Sequence, residues 1–403
     1  MRYLEIEFLE AARNCGASLQ KALAAPGLVS LCRGLAAEVA GGTWRPGLYT
    51  RFAVKEPKLR EIFAPCFADR VAEAWLIGQV EPALERLYID DSYANRKGKG
   101  PLAAVQKAQK HMRRPGRQYC LQLDVRGFFH SIHRPTLLDL WRTFLERARL
   151  EPERLELASF ISRTLLTGPA ARRFQTVAAS RPLLKSVPAH KSLLGAGPET
   201  GLPIGSVASQ HFANFYLSSL DHFIKHELRV KDYIRYMDDL LFLGPDIKTL
   251  AGWKEAVSEY LAGLRLELHQ GKSHFSRTAQ GVEYLGYRVY PHHLHVCGRT
   301  ARTLKARLDF FKHLLSPNGY PKCQRPVRGT WASLDLTPPL APEWPLLKKM
   351  EATINSYLGL MAHSDSWRLR KSLYEQHFGP LKRFFAPTGD SYGAVHVKKR
   401  FQL

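Results

Sequence analysis

The sequence predicts an α+β fold built around a split βαβ antiparallel sheet. Residues 119–125 alternate apolar and polar side chains, which is typical of a strand with one packed face and one open face. Residues 233–243 place two apolar arms around Asp238 and Asp239, which predicts a tight hairpin. Other segments complete the order β–α–β–β–α–β. They are helices at 206–228 and 249–264 and strands at 266–275 and 282–296.

The rest of the chain is predicted to be mainly helical. Further helices are expected within 1–45 and at 68–86, 102–112, 135–147, 299–312 and 346–360. An extended basic stretch covers 51–62, and the Gly-, Pro- and Ser-rich residues 167–200 are interpreted as a loop insertion. The predicted segments are 1–45, 46–118, 119–290 with the insertion 167–200, and 291–403.

The chain carries an excess of positive charge that is concentrated in particular segments. Its 403 residues include 59 Lys and Arg against 36 Asp and Glu, which gives a formal net charge of +23. Residues 93–123 contain eight Lys or Arg and no Asp or Glu. Such a distribution favours a polyanionic partner, most often nucleic acid, over an evenly solvated surface.

Several other classes of protein are disfavoured. The six cysteines form no CxxC pair, so neither a zinc ribbon nor a disulfide framework is indicated. The sequence has no apolar run of the length that a membrane span needs and no signal-peptide pattern at its start. We therefore expect a cytoplasmic protein with free thiols and without membrane attachment.

Three aspartates are placed where adjacent strands would bring them together. Asp124 lies on the open face at the end of its strand, and Asp238 and Asp239 occupy the hairpin turn. Such carboxylates suit two Mg²⁺ ions, with Mn²⁺ as the expected substitute, in phosphoryl transfer. A lone Asp-Asp pair would be interpreted more simply as a solvated turn. That interpretation does not account for the strand before Asp124, the glycine-flanked loop at 201–205 and the basic flanks.

The residues around these aspartates resemble the motifs of reverse transcriptases. Residues 236–239 (YMDD) are similar to the family's catalytic box, and residues 123–132 (LDVRGFFHSI) to its first catalytic strand. The resemblance implies a right-hand polymerase, with the second, third and fourth predicted segments as fingers, palm and helical thumb. It also implies RNA-directed DNA polymerase activity, with Mg²⁺ held by the three aspartates and the backbone carbonyl of Val125.

The same resemblance gives roles to further residues. Phe129 would exclude a nucleotide that carries a 2′-hydroxyl, although a core aromatic is the simpler interpretation. Arg60, with Lys58 as a weaker candidate, would contact the incoming triphosphate. Lys272 resembles a loop lysine that acts as general acid on pyrophosphate. The VEYLGY segment resembles the primer-grip hairpin through Tyr284, Leu285 and Gly286.

Residues 201–210 (GLPIGSVASQ) indicate a subtype of the family. Most reverse transcriptases are expected to carry a Gln-Gly pair in this loop and to end it in Ser-Pro. This chain has Ile204–Gly205 and ends the loop in Ser209–Gln210. That form resembles the reverse transcriptases of diversity-generating retroelements, as do residues 92–100 and 354–373.

The subtype implies that Ile204, Gly205 and Gln210 contact the incoming nucleotide. Gly205 would let the backbone approach the base pair closely. Ile204 replaces a hydrogen-bonding side chain with an apolar one, which is consistent with errors at template adenines. Two alternatives remain open: a retron-like or antiviral stand-alone reverse transcriptase, and a non-catalytic RNA-binding scaffold on a polymerase fold.

The expected partners are a template RNA, an RNA–DNA hybrid, dNTPs and a small basic accessory protein implied by the resemblance. Basic residues at 93–117 and 299–312 are expected to contact phosphates without reading sequence. A solvated helix face is the simpler interpretation of each segment. The candidate residues for nucleic-acid binding are Arg96, Lys97, Lys99, Lys107, Arg113, Arg114, Arg299, Arg302 and Lys305.

Overall fold

A computed structural model describes most of the chain, and the chain divides into two compact units. The described residues are 2–15, 27–55, 58–168, 173–315 and 344–401. Unit 1 comprises residues 1–100, 121–242 and 247–274, and unit 2 comprises residues 101–120, 243–246 and 275–403.

The described residues contain both helices and strands. The helices are α1 (Arg2–Asn14), α2 (Leu28–Ala40), α3 (Phe67–Leu87), α4 (Pro101–Met112), α5 (Phe128–Ser131), α6 (Arg134–Arg147), α7 (Pro152–Thr167), α8 (Arg181–Lys185), α9 (Val207–Tyr216), α10 (Ser218–His222), α11 (Ile247–Gly263), α12 (Gly298–Leu314), α13 (Trp344–Ala362) and α14 (Trp367–Ser372). The strands are β1 (Tyr49–Val54), β2 (Arg60–Ala64), β3 (Tyr119–Asp124), β4 (Phe174–Thr176), β5 (Tyr233–Tyr236), β6 (Asp239–Gly244), β7 (His274–Arg277), β8 (Val282–Tyr284), β9 (Tyr287–Val289), β10 (Leu294–Val296), β11 (Phe385–Pro387) and β12 (Val395–Val397).

The sheet of unit 1 is built from the predicted hairpin. Strands β5 and β6 pair antiparallel, with Tyr236 opposite Asp239, and β3 lies next to β6. Val125 forms an antiparallel bridge with Leu268, so the chain after α11 returns to the end of β3. In unit 2 the first residues of β3 lie next to β7. The predicted central sheet is therefore confirmed.

Helices of unit 1 pack around the indole of Trp141 on α6. The rings of Phe212 and Phe215 on α9 meet it edge-on, with centroid distances of 4.7 and 4.9 Å. The indole N–H donates to Ser162 Oγ of α7 at 2.9 Å. Edge-to-face packing of this kind adds about 0.5–1.5 kcal/mol per pair beyond burial. It fixes α9 to the helices that flank it.

A second sheet of unit 1 corrects the prediction that residues 167–200 form only a loop. Strands β1 and β2 form an antiparallel hairpin, and β4 from the predicted insertion pairs in parallel with β1. The buried carboxylate of Glu61 on β2 accepts hydrogen bonds from Ser192 Oγ at 2.8 Å and Leu193 N at 2.7 Å. Backbone pairing and a distant carboxylate order this segment, and neither depends on an apolar pattern within it.

Three other local predictions differ from the structure. No element was predicted over 152–167, which forms α7. The predicted helix 206–228 is interrupted at Leu217 and ends in a π-helical turn over Phe223–Glu227. The predicted strand 266–275 is a single bridge followed by a 3₁₀ turn over Gln270–Lys272. Short apolar runs fit either secondary structure, so tertiary pairing decided these segments.

Unit 2 contains the predicted C-terminal helices. Strands β8, β9 and β10 form an antiparallel meander, and α12 follows it. Leu308, Phe311, Ile354 and Leu358 from α12 and α13 belong to one buried apolar cluster. In the described part of the chain, no helix is long and apolar enough to cross a membrane.

Candidate active site

The turn of the β5–β6 hairpin carries two of the three predicted aspartates. The pairing of Tyr236 with Asp239 leaves Met237 and Asp238 as the turn residues. Met237 has a left-handed φ of +54°, which is uncommon for a residue with a side chain. The two aspartates therefore lie at one end of the sheet, where the Asp238 side chain is half-buried and the Asp239 side chain is exposed.

Asp124 ends the strand next to this hairpin. Its carboxylate oxygens lie 2.6 and 2.8 Å from the ammonium of Lys272. Its backbone carbonyl accepts from the amide of His269 at 2.7 Å, and the amide of Arg126 donates to Glu267. These two bonds do not use the carbonyl of Val125, which was the predicted backbone ligand.

The three aspartates influence one another electrostatically. Burial among protein atoms raises the pKa of Asp238 to about 7, and the charges of Asp239 and Asp124 add to the rise. Burial also raises the pKa of Asp239, followed by the charge of Asp124. Like charges raise one another's pKa only when they lie close together. The structure therefore brings Asp124, Asp238 and Asp239 together as the open cluster.

Basic side chains of the β1–β2 hairpin face this open cluster. Lys58 and Arg60 are both exposed, and their positive charges oppose the rise in the pKa of Asp239. Lys272 acts in the same direction. The predicted nucleotide-binding cations are therefore placed beside the aspartates, where the charge of a bound triphosphate would be stabilised.

The open cluster fits a divalent cation by its chemistry. Among the residues that the structure describes, no three His, Cys, Asp or Glu are arranged so that they could hold a metal ion directly. Lys272, a cation, instead bonds to both oxygens of Asp124. Burial and the charges of Asp239 and Asp124 raise the pKa of Asp238 despite the nearby Lys272. Hard oxygen ligands of this type suit Mg²⁺.

A fully buried arginine lies directly beneath the hairpin turn. Arg235 precedes Tyr236 on β5, and its guanidinium donates to Asp221 at 2.8 Å through Nε and 2.6 Å through Nη2. Its Nη1 donates to Asn214 Oδ1 at 2.8 Å and to the carbonyl of Met237 at 3.2 Å. We call Arg235, Asp221 and Asn214 the closed cluster. It ties the strained turn residue to helices α9 and α10.

Sequence reasoning missed the closed cluster. Arg235 is a charged residue inside an apolar strand, immediately before the YMDD box, and that position was the available signal. Asp221 and Asn214 lie on helical segments 14 and 21 residues earlier, and no local pattern links them to the strand.

The loop before α9 lies against strand β2. The amide of Phe63 donates to the carbonyl of Ile204 at 2.8 Å. Gly205 has φ +121°, and a Cβ there would meet Ile62 Cγ2 at 2.8 Å and Phe63 O at 2.9 Å. Glycine is required at 205 for both reasons. Ile204 is half-buried, as is Gln210 on α9.

A buried carboxylate that sequence reasoning also missed caps α9. Glu73 on α3 accepts from Ser206 Oγ at 2.9 Å and from the amide of Val207 at 3.0 Å. Burial raises the pKa of Glu73 to about 7, although these hydrogen bonds oppose the rise. Ser206 Oγ also accepts from the amide of Ser209 at 3.0 Å, which completes the N-cap. This support holds the Ile204–Gly205 loop in place.

The two aromatic residues after β3 differ in exposure. Phe128 is 2% exposed and belongs to the core. Phe129 is half-buried, and its carbonyl accepts from the amide of Leu202 at 2.7 Å. Phe129 is thus anchored to the loop that carries Ile204. Its role as a gate stays a prediction.

Residues 54–289 match the family model described as reverse transcriptase (RNA-dependent DNA polymerase). This range covers more than half of the 403 residues and includes the open cluster. The chain belongs to the reverse transcriptase family. RNA-directed DNA polymerase is therefore the enzyme activity that its family indicates.

Two solved telomerase structures resemble this reverse transcriptase. Telomerase from Candida albicans, in complex with a fragment of telomeric RNA, is 11% identical with a TM-score of 0.39. The match covers 86% of this chain and 60% of that one. Apo telomerase from Candida tropicalis is 10% identical with a TM-score of 0.44, over 90% of this chain and 67% of that one. No curated protein matches the sequence.

The predicted primer grip of the reverse transcriptase is a second hairpin, in unit 2. Tyr284 pairs with Tyr287, which leaves Leu285 and Gly286 as turn residues with φ +48° and +91°. Positive φ at both positions matches the right-handed twist of the strands. The hairpin expected from VEYLGY is confirmed, and its contact with a primer stays a prediction.

The basic segment of unit 1 differs from the prediction of free phosphate ligands. The Arg96 side chain is 7% exposed and is bonded to Glu85 at 2.9 Å and to backbone carbonyls. Lys99 pairs with Asp90 at 2.7 Å and is 19% exposed. Lys97 is 87% exposed, although it reaches Glu81 at 3.0 Å. Of these three, Lys97 is the residue placed to meet a phosphate.

The basic residues of unit 2 are mostly at its surface. Arg113 and Arg114 are exposed, Lys107 is half-buried, and Arg113 Nε donates to the carbonyl of Pro291. On α12, Arg299 and Arg302 are exposed and Lys305 is half-buried, opposite the buried Leu304 and Leu308. The predicted amphipathic helix is confirmed. Its contact with a nucleic-acid duplex stays a prediction.

Proposed function

We propose that this reverse transcriptase copies a template RNA into cDNA and makes errors at template adenines, as in a diversity-generating retroelement. The observation that supports polymerase chemistry is the open cluster, in which burial and the charges of Asp239 and Asp124 raise the pKa of Asp238 beside the cations Lys58, Arg60 and Lys272. Uncompensated acids next to cations suit a site that binds metal and triphosphate together. A non-catalytic scaffold would not need this arrangement.

Different residues of the chain would contribute to different steps of nucleotide addition. Mg²⁺, when bound by Asp124, Asp238 and Asp239, would activate the primer hydroxyl and stabilise the leaving pyrophosphate. Lys58 and Arg60 would bind and orient the triphosphate. Lys272, which the structure holds against Asp124, is positioned to protonate the leaving pyrophosphate.

Two residues would select the nucleotide. Phe129, whose backbone carbonyl is hydrogen-bonded to the loop that carries Ile204, would exclude a 2′-hydroxyl. Ile204 offers no side-chain hydrogen bond to the incoming base, so geometric errors opposite adenine would be rejected less strongly. A template RNA, an RNA–DNA hybrid and dNTPs are the partners in this proposal, and a small basic accessory protein stays a prediction.

Primer extension on poly(rA)/oligo(dT) with Mg²⁺, and with Mn²⁺ as a substitute, tests the polymerase proposal. Asp238→Ala should abolish extension, whereas Asp139→Ala should not, because the Asp139 side chain is 72% exposed on α6. Activity that persists in Asp238→Ala would refute the assignment of the open cluster.

Sequencing of cDNA made in vitro tests the subtype. Ile204→Gln should lower the error rate at template adenines, while Val207→Gln, at an exposed position three residues later, should leave it unchanged. An unchanged error spectrum in Ile204→Gln would instead favour the retron-like or antiviral alternative. A template repeat and a variable repeat beside the gene would independently support the first proposal.

A further inference from the structure

An arginine-lined cavity of about 470 Å³ lies in unit 1 at the start of β1. Its walls come from residues 45–49, from the end of α7 and from Arg173. Arg45, Arg163 and Arg173 line it, and the described residues of its walls include no Asp or Glu. All three arginines are exposed. The cavity therefore presents positive charge to solvent.

Among the described residues, no carboxylate forms an ion pair with these arginines, although Asp69 interacts electrostatically with Arg173. Arg45 Nη1 donates to the carbonyl of Trp44 at 2.7 Å, and Arg173 Nη1 donates to the carbonyl of Pro46 at 3.1 Å. Burial raises the pKa of Asp69, and the charge of Arg173 opposes that rise. The Asp69 carboxylate nevertheless accepts its hydrogen bond from the amide of Gly47, at 2.8 Å. Neutral carbonyls thus orient two guanidinium groups while their charge remains available to an anion.

Other arginines of unit 1 do form ion pairs. Arg51 and Arg154 lie 2.6 Å from Glu61 and Glu7, and Arg235 lies 2.6 Å from Asp221. Among the described residues, no carboxylate oxygen lies within ion-pair distance of the three cavity arginines. A cluster of guanidinium groups without acidic partners is a site for phosphate or carboxylate oxygens.

The remaining walls favour a nucleotide over a bare anion. Phe160 is half-buried in the wall, and Tyr49 and Leu165 add further apolar surface. An aromatic face beside guanidinium groups can stack a base while the cations hold its phosphate. The volume lies within the range of small-ligand sites.

The cavity lies at the opposite end of β1 from the residue proposed to bind the incoming dNTP. Tyr49 begins β1, whereas Val54 at the other end of the strand pairs with Arg60. Val54 lies five residues after Tyr49, which corresponds to about 17 Å along the strand. The arginines of the cavity and Arg60 therefore belong to separate sites.

A neighbouring cavity provides a contrast. It has a volume of about 690 Å³, and Arg163 borders it together with Asp139, Glu153 and Glu156. Acidic side chains there oppose the binding of an anion. Arg163 therefore borders both an acid-lined cavity and the arginine-lined cavity.

We propose that the arginine-lined cavity binds a second nucleotide, with its phosphate on the arginines and its base on Phe160. The nucleotide could belong to a single-stranded RNA template ahead of the aspartates, a source that rests on the proposed function, or it could be free in solution. The two sources share one chemistry and are separated by the probes below.

The test measures binding without Mg²⁺, so that polymerase activity is not involved. The probes are a 5′-fluorescein oligo(A) RNA of about 12 nucleotides, followed by anisotropy, and ATP, followed by equilibrium dialysis. Arg45→Glu and Arg163→Glu should each weaken at least one probe by about fivefold or more. The log–log salt dependence of RNA binding should become shallower by about 0.7 for each phosphate that the variant no longer neutralises.

Arg142→Glu is the matched control, since Arg142 is 71% exposed on α6 and lies outside the cavity. Loss of RNA binding alone assigns the cavity to the strand, and loss of ATP binding assigns it to a free nucleotide. The proposal is overturned if both reversal variants bind both probes within about twofold of Arg142→Glu. If a reversal variant fails to fold, Arg163→Gln is judged by the same criteria.

Failure of this site and failure of the proposed function are distinguishable. Asp238→Ala should keep full binding in both probe assays, because the open cluster is not part of the cavity. If Arg163→Glu loses binding while Asp238→Ala still extends primers, the cavity stands and the polymerase assignment fails.

Discussion

The open and closed clusters lie at the same hairpin, yet their charges are balanced in opposite ways. In the closed cluster, Arg235 and Asp221 are 0% and 1% exposed and neutralise each other across 2.6 Å. In the open cluster, Asp238 has a pKa raised to about 7 by burial and by the charges of Asp239 and Asp124. Only two residues of chain lie between Arg235 and Asp238.

This difference distinguishes the closed cluster, which holds the hairpin in place, from the open cluster, which is proposed to carry out the reaction. A buried ion pair with its hydrogen bonds satisfied holds a backbone in place, and Arg235 holds the carbonyl of Met237. A group of acids without counter-charge destabilises the fold unless a cation binds, which is the property that a metal and triphosphate site uses. Lys272 lies between the two extremes, because one ammonium partly neutralises Asp124.

The largest expected effect comes from removing one charge of the open cluster. Asp238→Asn should lower kcat in primer extension by about a thousandfold, since a metal ligand contributes several kcal/mol to the transition state. The free energy of unfolding in urea should stay equal or rise, because a repelled carboxylate is removed. A variant that keeps more than a tenth of wild-type kcat would show that the open cluster is not the catalytic site.

Breaking the closed cluster should act on stability instead. Arg235→Met leaves Asp221 as an uncompensated buried charge and should lower the free energy of unfolding by about 3–5 kcal/mol. The double variant Arg235→Met/Asp221→Leu should regain most of that loss, because the buried charge is gone. Urea denaturation of both variants measures this. Equal stability of the single and double variants would show that charge balance is not what the closed cluster provides.

Replacing Lys272 tests whether this residue contributes to catalysis, as expected for the open cluster, or to stability, as expected for the closed cluster. Lys272→Met should lower kcat by about a hundredfold if the ammonium protonates pyrophosphate. The change in unfolding free energy should stay below about 1 kcal/mol, since the side chain is 48% exposed. Lys348→Met, which removes an equally exposed pair with Glu351, serves as the control and should leave kcat unchanged. A stability loss without a change in kcat would place Lys272 with the closed cluster.

The smallest expected effect is a pH dependence of stability in the metal-free protein. The folded pKa of Asp238 is about 7 against an ordinary value of 3.8, so its contribution is present below pH 4 and is lost as the pH rises through 7. Wild type in EDTA should lose more stability between pH 4 and pH 8 than Asp238→Asn does. Comparison of the two proteins removes the parallel contribution of Glu73. Identical pH profiles would contradict the raised pKa.

Much of the fold was predictable because its signals are local. The alternation over 119–125 and the apolar arms around Asp238 were sufficient to predict the central sheet. The insertion was misjudged because β4 is ordered by pairing with β1 and by Glu61 on β2, which lies 131 residues from Ser192. When contacts with distant residues order a segment, the segment itself need not show a periodic pattern of apolar residues.

Within the candidate site, the sequence by itself determined the residues on which the proposed chemistry rests. They are the aspartates at the hairpin turn and at the end of β3, the cations Lys58 and Arg60, and the glycine at 205. Only the tertiary structure decided how their charge is balanced. Lys272 meets Asp124 across 148 residues, Arg235 meets Asp221 beneath the turn, and Arg45 joins Arg163 and Arg173 around one cavity. Charge balance depends on distances between side chains that are remote in the chain, and those distances exist only once the chain has folded.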